Sequence, residues 1–248
     1  MPNQRHRPFH RTHGDPGAPG RSALQVELVE HMPFSVSAVA LGLTFAGLIC
    51  YLAPEVGSEA AHLHEGRIAG GRRESLISLF HLFHPMHMFF SATATTAMFW
   101  RYDRKALKAI AVGLIGAVGV CGVSDIVVPQ MALFIMHVPA EWHICVIEHP
   151  ELVFPFALVG VLTGLGAAGR VAGSTFFSHS LHVLSSTMAS IFYLIAPFVG
   201  LAWIDDVGKI FIFVILAVMV PCCLSDIVFP LAMTKEARAK ALAEAHAH

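Results

Sequence analysis

Apolar residues run along this chain in six long blocks instead of alternating with polar ones. The blocks lie near 33–53, 75–100, 109–134, 151–170, 176–200 and 208–233. A helix needs about 20 residues to cross the hydrocarbon core of a bilayer, and each block reaches that length. A membrane barrel would instead show short segments of alternating polarity. The expected fold is an all-α integral membrane protein with six transmembrane helices. Residues 1–22 are rich in Arg, His, Pro and Gly and lack the apolar stretch of a secretory signal, so they read as a disordered tail. Residues 235–248 read as a second tail.

Composition sharpens this picture. Of the 248 residues, 55% are hydrophobic and 13% charged, and the mean hydropathy is +0.65. A soluble domain carries about 25% charged residues, so a soluble enzyme, a disordered chain and a nucleic-acid binder are all excluded. Basic residues accumulate in cytoplasmic loops. Arg5, Arg7, Arg11, Arg21, Arg101, Arg104, Lys105, Lys108, Arg170, Lys235, Arg238 and Lys240 fall on one side of the six blocks. Only Arg67, Arg72, Arg73 and Lys209 fall on the other. Both termini are therefore expected in the cytoplasm of a plasma (inner) membrane protein, with the loop 137–149 outside.

The chain also resembles itself. Cys121-Gly-Val-Ser124-Asp125-Ile-Val-Val-Pro129 returns as Cys222-Cys-Leu-Ser225-Asp226-Ile-Val-Phe-Pro230. His81-Leu-Phe-His84 is matched by His179-Ser-Leu-His182, and Glu30-His31 by Glu148-His149. The three signatures keep their order in residues 23–136 and again in 137–234. Three spans per half force the second half to enter the membrane from the opposite side. The expected architecture is two inverted three-helix repeats, common among secondary transporters.

Depth along each helix, at about 1.5 Å per residue, sorts these residues into two groups. His81, His84, Asp125, Glu148 and His149 fall toward the outer face. His179, His182, Asp226, Glu30 and His31 fall toward the inner one. Residues three or four apart share a helix face, so imidazole and carboxylate converge, with Cys121 and Cys222 within reach. That donor set suits zinc or iron and not calcium or magnesium, which take oxygen shells. Pro129 and Pro230 have no N–H to give the carbonyl four residues earlier, so a kink with an exposed carbonyl is expected at Asp125 and at Asp226.

Structural duties compete with each reading. The Asp and His residues also suit interhelical hydrogen bonds, Glu-His pairs suit helix caps, and the cysteines suit a packed core. His87 has no evident counterpart and reads as an added outer group or as core. The tail histidines (His6, His10, His13, His246, His248), with His62 and His64, are potential metal collectors. Gly160 and Gly164, four apart, suit close helix packing. The expected function is transport of a divalent transition-metal ion, zinc or iron, by alternating access. Histidine titrates near neutral pH, which suits exchange of metal for protons. A membrane metalloenzyme and a bis-histidine haem protein stay open as alternatives. No nucleotide-binding glycine loop is present to power transport. The expected partners are the metal ion and the lipid bilayer, and a homo-oligomer stays open.

Overall fold

The computed structural model describes residues 23–52, 72–167, 174–199 and 201–234. Residues 1–22, 53–71, 168–173, 200 and 235–248 lie outside the described residues, and with them His6, His10, His13, His62, His64, His246 and His248. No strand occurs among the described residues. Helix α1 spans Ala23–Leu52 and α2 spans Arg72–Tyr102. Helix α3, Ala106–Leu114, continues through π-helical turns at Ile115–Val120 and Val123–Val127 into α4, Val128–Ile135. A short α5, Cys145–Glu148, precedes α6, Pro150–Ala167, and α7, Ser174–Ile195. A 3₁₀ turn at Ala202–Asp206 leads into α8, Val207–Cys223. A π-helical turn, Leu224–Val228, then joins α8 to α9, Phe229–Ala232.

Three stretches are long and apolar enough to cross a membrane: Met32–Leu52, Ala106–Ile135 and Ala202–Ala232. Pro150–Gly166 and Ser180–Ile195 are shorter apolar helices. Their outward side chains include Leu41, Leu48, Leu107, Phe134, Leu162, Ile212 and Leu216, all exposed, as befits helices in an apolar solvent. Helix α2 has the length but is more polar. Its His84, His87, Ser91, Thr93, Thr95 and Thr96 are buried because α6 and α7 pack along it.

Small residues let α6 approach closely. A Cβ built on Gly160 would stand 2.3 Å from the Phe89 carbonyl oxygen, and one on Gly164 2.7 Å from that of Thr93. The Thr93 hydroxyl donates to the Gly160 carbonyl at 3.1 Å. The end of α4 is closed by a Schellman motif. His137 adopts a positive φ of 57°, its N–H donates to Phe134 O, and the Val138 N–H donates to Leu133 O. The loop that follows is tied down by polar side chains. Gln130 Nε2 donates to Ala140 O, the Tyr193 hydroxyl donates to Gln130 Oε1, and the His143 N–H donates to the Tyr193 oxygen.

Candidate metal centre

The prolines act one residue away from where a plain α-helix would put their effect. Asp125 and Asp226 both sit inside π-helical turns. In a π-helix the N–H of residue i+5 serves the carbonyl of residue i. Pro129 and Pro230 therefore leave unserved the carbonyls of Ser124 and Ser225, not those of the aspartates. Neighbouring helices supply the missing donors. Ser190 Oγ donates to Ser124 O at 3.3 Å, and Thr95 Oγ1 donates to Ser225 O at 3.0 Å. A hydroxyl from α7 serves the first turn and one from α2 the second.

The aspartate side chains face the interior of the bundle. Asp125 Oδ2 accepts from His84 Nδ1 at 2.8 Å and from His87 Nδ1 at 2.6 Å, while its Oδ1 accepts from the hydroxyls of Ser124 and Ser186. Asp226 Oδ2 accepts from His182 Nδ1 at 2.5 Å. Each imidazole thus spends its Nδ1–H on a carboxylate and turns Nε2 the other way. The Nε2 atoms of His87 and His182 meet at 2.6 Å, with the rings stacked at 4.5 Å between centroids. Cys121 Sγ lies 3.5 Å from His182 Nε2, and Cys222 Sγ lies 3.9 Å from His87 Nε2. His87, Cys121, His182, Asp125 and Cys222 are fully buried, and His84 and Asp226 nearly so.

These contacts come in matched pairs. Asp125 with His87 corresponds to Asp226 with His182, and Cys121 with His182 to Cys222 with His87. Ser91 reaches Ser225 Oγ at 3.1 Å, and Ser186 reaches Ser124 Oγ at 3.4 Å. Ser91 also contacts Cys121 Sγ at 2.9 Å.

Two separate clusters, outer and inner, do not describe this arrangement. His84, Asp125, His182 and Asp226 belong to one continuous buried network. His81 and His149 belong elsewhere, with His143. His81 Nε2 lies 2.8 Å from His143 Nε2, and the three rings lie 4.9–5.5 Å apart. The ligand atoms of His81, His143 and His149 all fall within 4.8 Å of one another, as do those of His87, Cys121 and His182, and those of His84, His87 and Asp125. Glu148 meets this trio through the Nδ1 side of His143. Its carboxylate accepts from the Ile144 N–H at 2.9 Å and from His143 Nδ1 at 2.7 Å, and these bonds hold it below the usual carboxylate range. The side chains of Glu30, His31 and His179 lie outside the described residues. Their backbones belong to α1 and α7.

His143 is the residue that sequence reasoning missed, and His87 the one it left without a counterpart in the repeat. His84-Pro-Met-His87 has the same spacing as His179-Ser-Leu-His182, so the repeat admits two frames in α2. Residues downstream choose between them. Ser91 and Thr95 follow His87 by four and eight, as Ser186 and Ser190 follow His182, which aligns His87 with His182. His143 lies in irregular chain, where no periodicity marks it.

Two cavities flank these groups. One of about 690 Å³ opens beside the three-histidine group and is lined by Arg73, Phe80, Glu141, His143, Glu148 and Tyr193, among others. The other, about 170 Å³ and mostly apolar, touches His84. Phe80, buried, stacks on His84 at 5.1 Å and stands between the two groups of histidines, 5.4 Å from the His81 ring and 5.9 Å from that of His143. No known family model, curated protein or solved structure matches the chain.

Proposed function

We propose that the chain carries a divalent transition-metal ion, zinc or ferrous iron, across the plasma membrane through one central site. Six spans in two inverted three-helix halves would surround that site, and both termini would be cytoplasmic. The observation that carries this reading is the approach of His87 Nε2 to His182 Nε2 at 2.6 Å. With both Nδ1–H groups given to aspartates, the two Nε2 lone pairs point at each other. A proton between them turns that contact from repulsive to attractive at this distance, and a zinc ion would do so with the two nitrogens parted to roughly 3.3 Å, the edge of a tetrahedral site. The two sulfurs sit beside the same point. In a tetrahedral zinc site with bonds of about 2.0–2.1 Å to nitrogen and 2.3 Å to sulfur, a nitrogen and a sulfur stand roughly 3.5 Å apart. The contacts of 3.5 and 3.9 Å lie near that edge length. Carboxylates behind metal-binding imidazoles fix the tautomer and raise ligand basicity, which is the duty left to Asp125 and Asp226.

Further support comes from the matched contacts. Each half of the chain contributes one His, one Cys and one Asp, so a rocking of one half against the other changes which face reaches the site without dismantling either half. The Nε2 atoms of His87 and His182 stand 2.6 Å apart, and a haem, which holds two imidazoles on opposite sides of its iron, would need them parted further than a tetrahedral ion does, which favours an ion over a haem. A second reading, a membrane metalloenzyme, is favoured by the 690 Å³ cavity beside His143. That volume would hold an organic molecule, whereas neither described cavity is lined by His87, His182 or Cys121.

Reconstituted vesicles decide between the readings. The carrier moves zinc or ferrous ion into or out of wild-type vesicles, and a chain with both Cys121→Ser and Cys222→Ser loses at least tenfold of that flux. Tight metal retention with no flux in wild type would support the enzyme.

A further inference from the structure

We infer that His81, His143 and His149 form a second ion site, all-nitrogen and chemically distinct from the buried thiol-containing one, at which the ion is captured before entering the protein. Its role as the loading station rests on the carrier reading above. Its existence as a binding site does not.

The geometry is that of a prepared ligand set. His143 spends Nδ1 on Glu148, and His149 places Nδ1 3.2 Å from Glu151 Oε1. The carboxylates thus hold the Nδ1 sides, and the Nε2 sides remain for an ion. With the His143 Nδ1–H given to Glu148, His81 Nε2–H donates to His143 Nε2 at 2.8 Å, and a bound ion would take the place of that proton. Three imidazoles with an open fourth position are a known arrangement for zinc. All three rings are half-buried, so an ion gives up only part of its water on arrival.

The site has an approach and an exit. His143 and Glu148 line the 690 Å³ cavity, whose wall also carries Glu141. From His81 the same face of α2 leads inward through His84 to His87, each step being three residues and about 4.5 Å of rise. Phe80 closes that route in this conformation, since its ring packs on both His81 and His84. An all-nitrogen site outside and a nitrogen–sulfur site within also give a gradient of affinity for thiophilic ions, so an ion caught by the trio is drawn inward.

Cobaltous ion separates the two sites optically. Bound to nitrogen alone it shows visible ligand-field bands. Bound to a thiolate it adds sulfur-to-cobalt charge-transfer absorption in the near ultraviolet. The full chain in detergent is titrated with Co²⁺. His143→Ala with His149→Ala should bind one equivalent fewer than wild type and keep the charge-transfer band, which also reports an intact fold. Cys121→Ser with Cys222→Ser should lose the band and keep the other equivalent. In vesicles the histidine variant should need at least tenfold more metal for half-maximal uptake while the maximal rate holds. An unchanged cobalt count in the histidine variant would overturn the site. Loss of the band together with the equivalent would overturn its separateness. Absence of flux in wild type would reject the loading role alone and leave the binding result standing.

Discussion

Asp125 and Asp226 each hold an imidazole by its Nδ1–H, and this changes what a neutral replacement should do. As direct ligands of two separate clusters they would fail in different ways, one on each face of the membrane. As partners of His87 and His182 at one shared point they should fail alike. Asn keeps the size and one acceptor oxygen but drops the charge and allows the ring to turn to the other tautomer. Partners of this kind typically contribute 10–100-fold to metal affinity. Asp125→Asn and Asp226→Asn should each weaken zinc binding by about that factor, and flux in vesicles should fall in parallel whichever face supplies the ion. Isothermal titration and flux from both sides check this. A loss confined to one face in each variant would restore the picture of two clusters. The sequence brought the two aspartates to notice through the repeated Cys-x-x-Ser-Asp, but not their role. Acids within a membrane span are costly and tend to be functional. Which atom they face is a matter of side-chain direction, and spacing along one helix does not determine that.

The π-helical turns show why the hydroxyls of α2 and α7 belong to the site. Thr95 and Ser190 donate to the carbonyls that Pro230 and Pro129 leave unserved, and apolar surroundings offer no water to do so. Thr95→Val keeps the shape and removes the donor. A buried carbonyl left without a partner costs about 1–3 kcal/mol, so thermal stability should fall by that amount, and Ser190→Ala should behave similarly. Thermal unfolding of purified protein, followed by circular dichroism, measures both. Stability equal to wild type in both variants would mean that the carbonyls find other donors. The proline pattern was legible in the sequence, but the turn it produces was not. An α-helical count assigns the loss to Asp125 and Asp226, and only the wider π turn moves it to Ser124 and Ser225. The frame of the histidine repeat was also readable, since Ser91 and Thr95 sit behind His87 as Ser186 and Ser190 sit behind His182. The shorter match of His81-x-x-His84 with His179-x-x-His182 obscured it. His143 lies in a loop placed by Gln130 and Tyr193, contacts between residues distant in sequence that no local pattern announces.

Helical chain with long apolar stretches was legible from hydropathy alone, because every backbone polar group in lipid must be paired within its own segment. Helix α2 is the instructive exception. Its block is apolar enough to notice in sequence, yet its interior is a column of histidine and hydroxyl groups covered by α6 and α7. Its 31 residues extend roughly 45 Å, enough to reach from one face of a membrane to the other. Arg73, near its start, lines a cavity with Glu141, Trp142, Ala196 and Pro197. Beyond its far end, Lys108 donates to the Met233 carbonyl. The loops near Glu141 and near Arg104 therefore belong to opposite ends of α2, and the excess of basic residues is the ground for expecting the Arg104 end in the cytoplasm. Cys145 is a poor reporter of this arrangement. It is fully buried, and burial, with Glu148 and Glu151 adding to it, pushes its thiol up to about 12. Such a thiol holds very little of the thiolate, the reactive form, near neutral pH. The remaining four cysteines are buried as well, so wild-type protein should take up almost no impermeant maleimide, and an introduced surface cysteine gives a clean signal. Glu141→Cys, at an exposed position, should label in intact cells. Arg104→Cys, also exposed, should label only after permeabilisation. The reverse pattern would invert the orientation while leaving the central site untouched, and labelling of both in intact cells would mean that the two loops share the outer face and that α2 does not span.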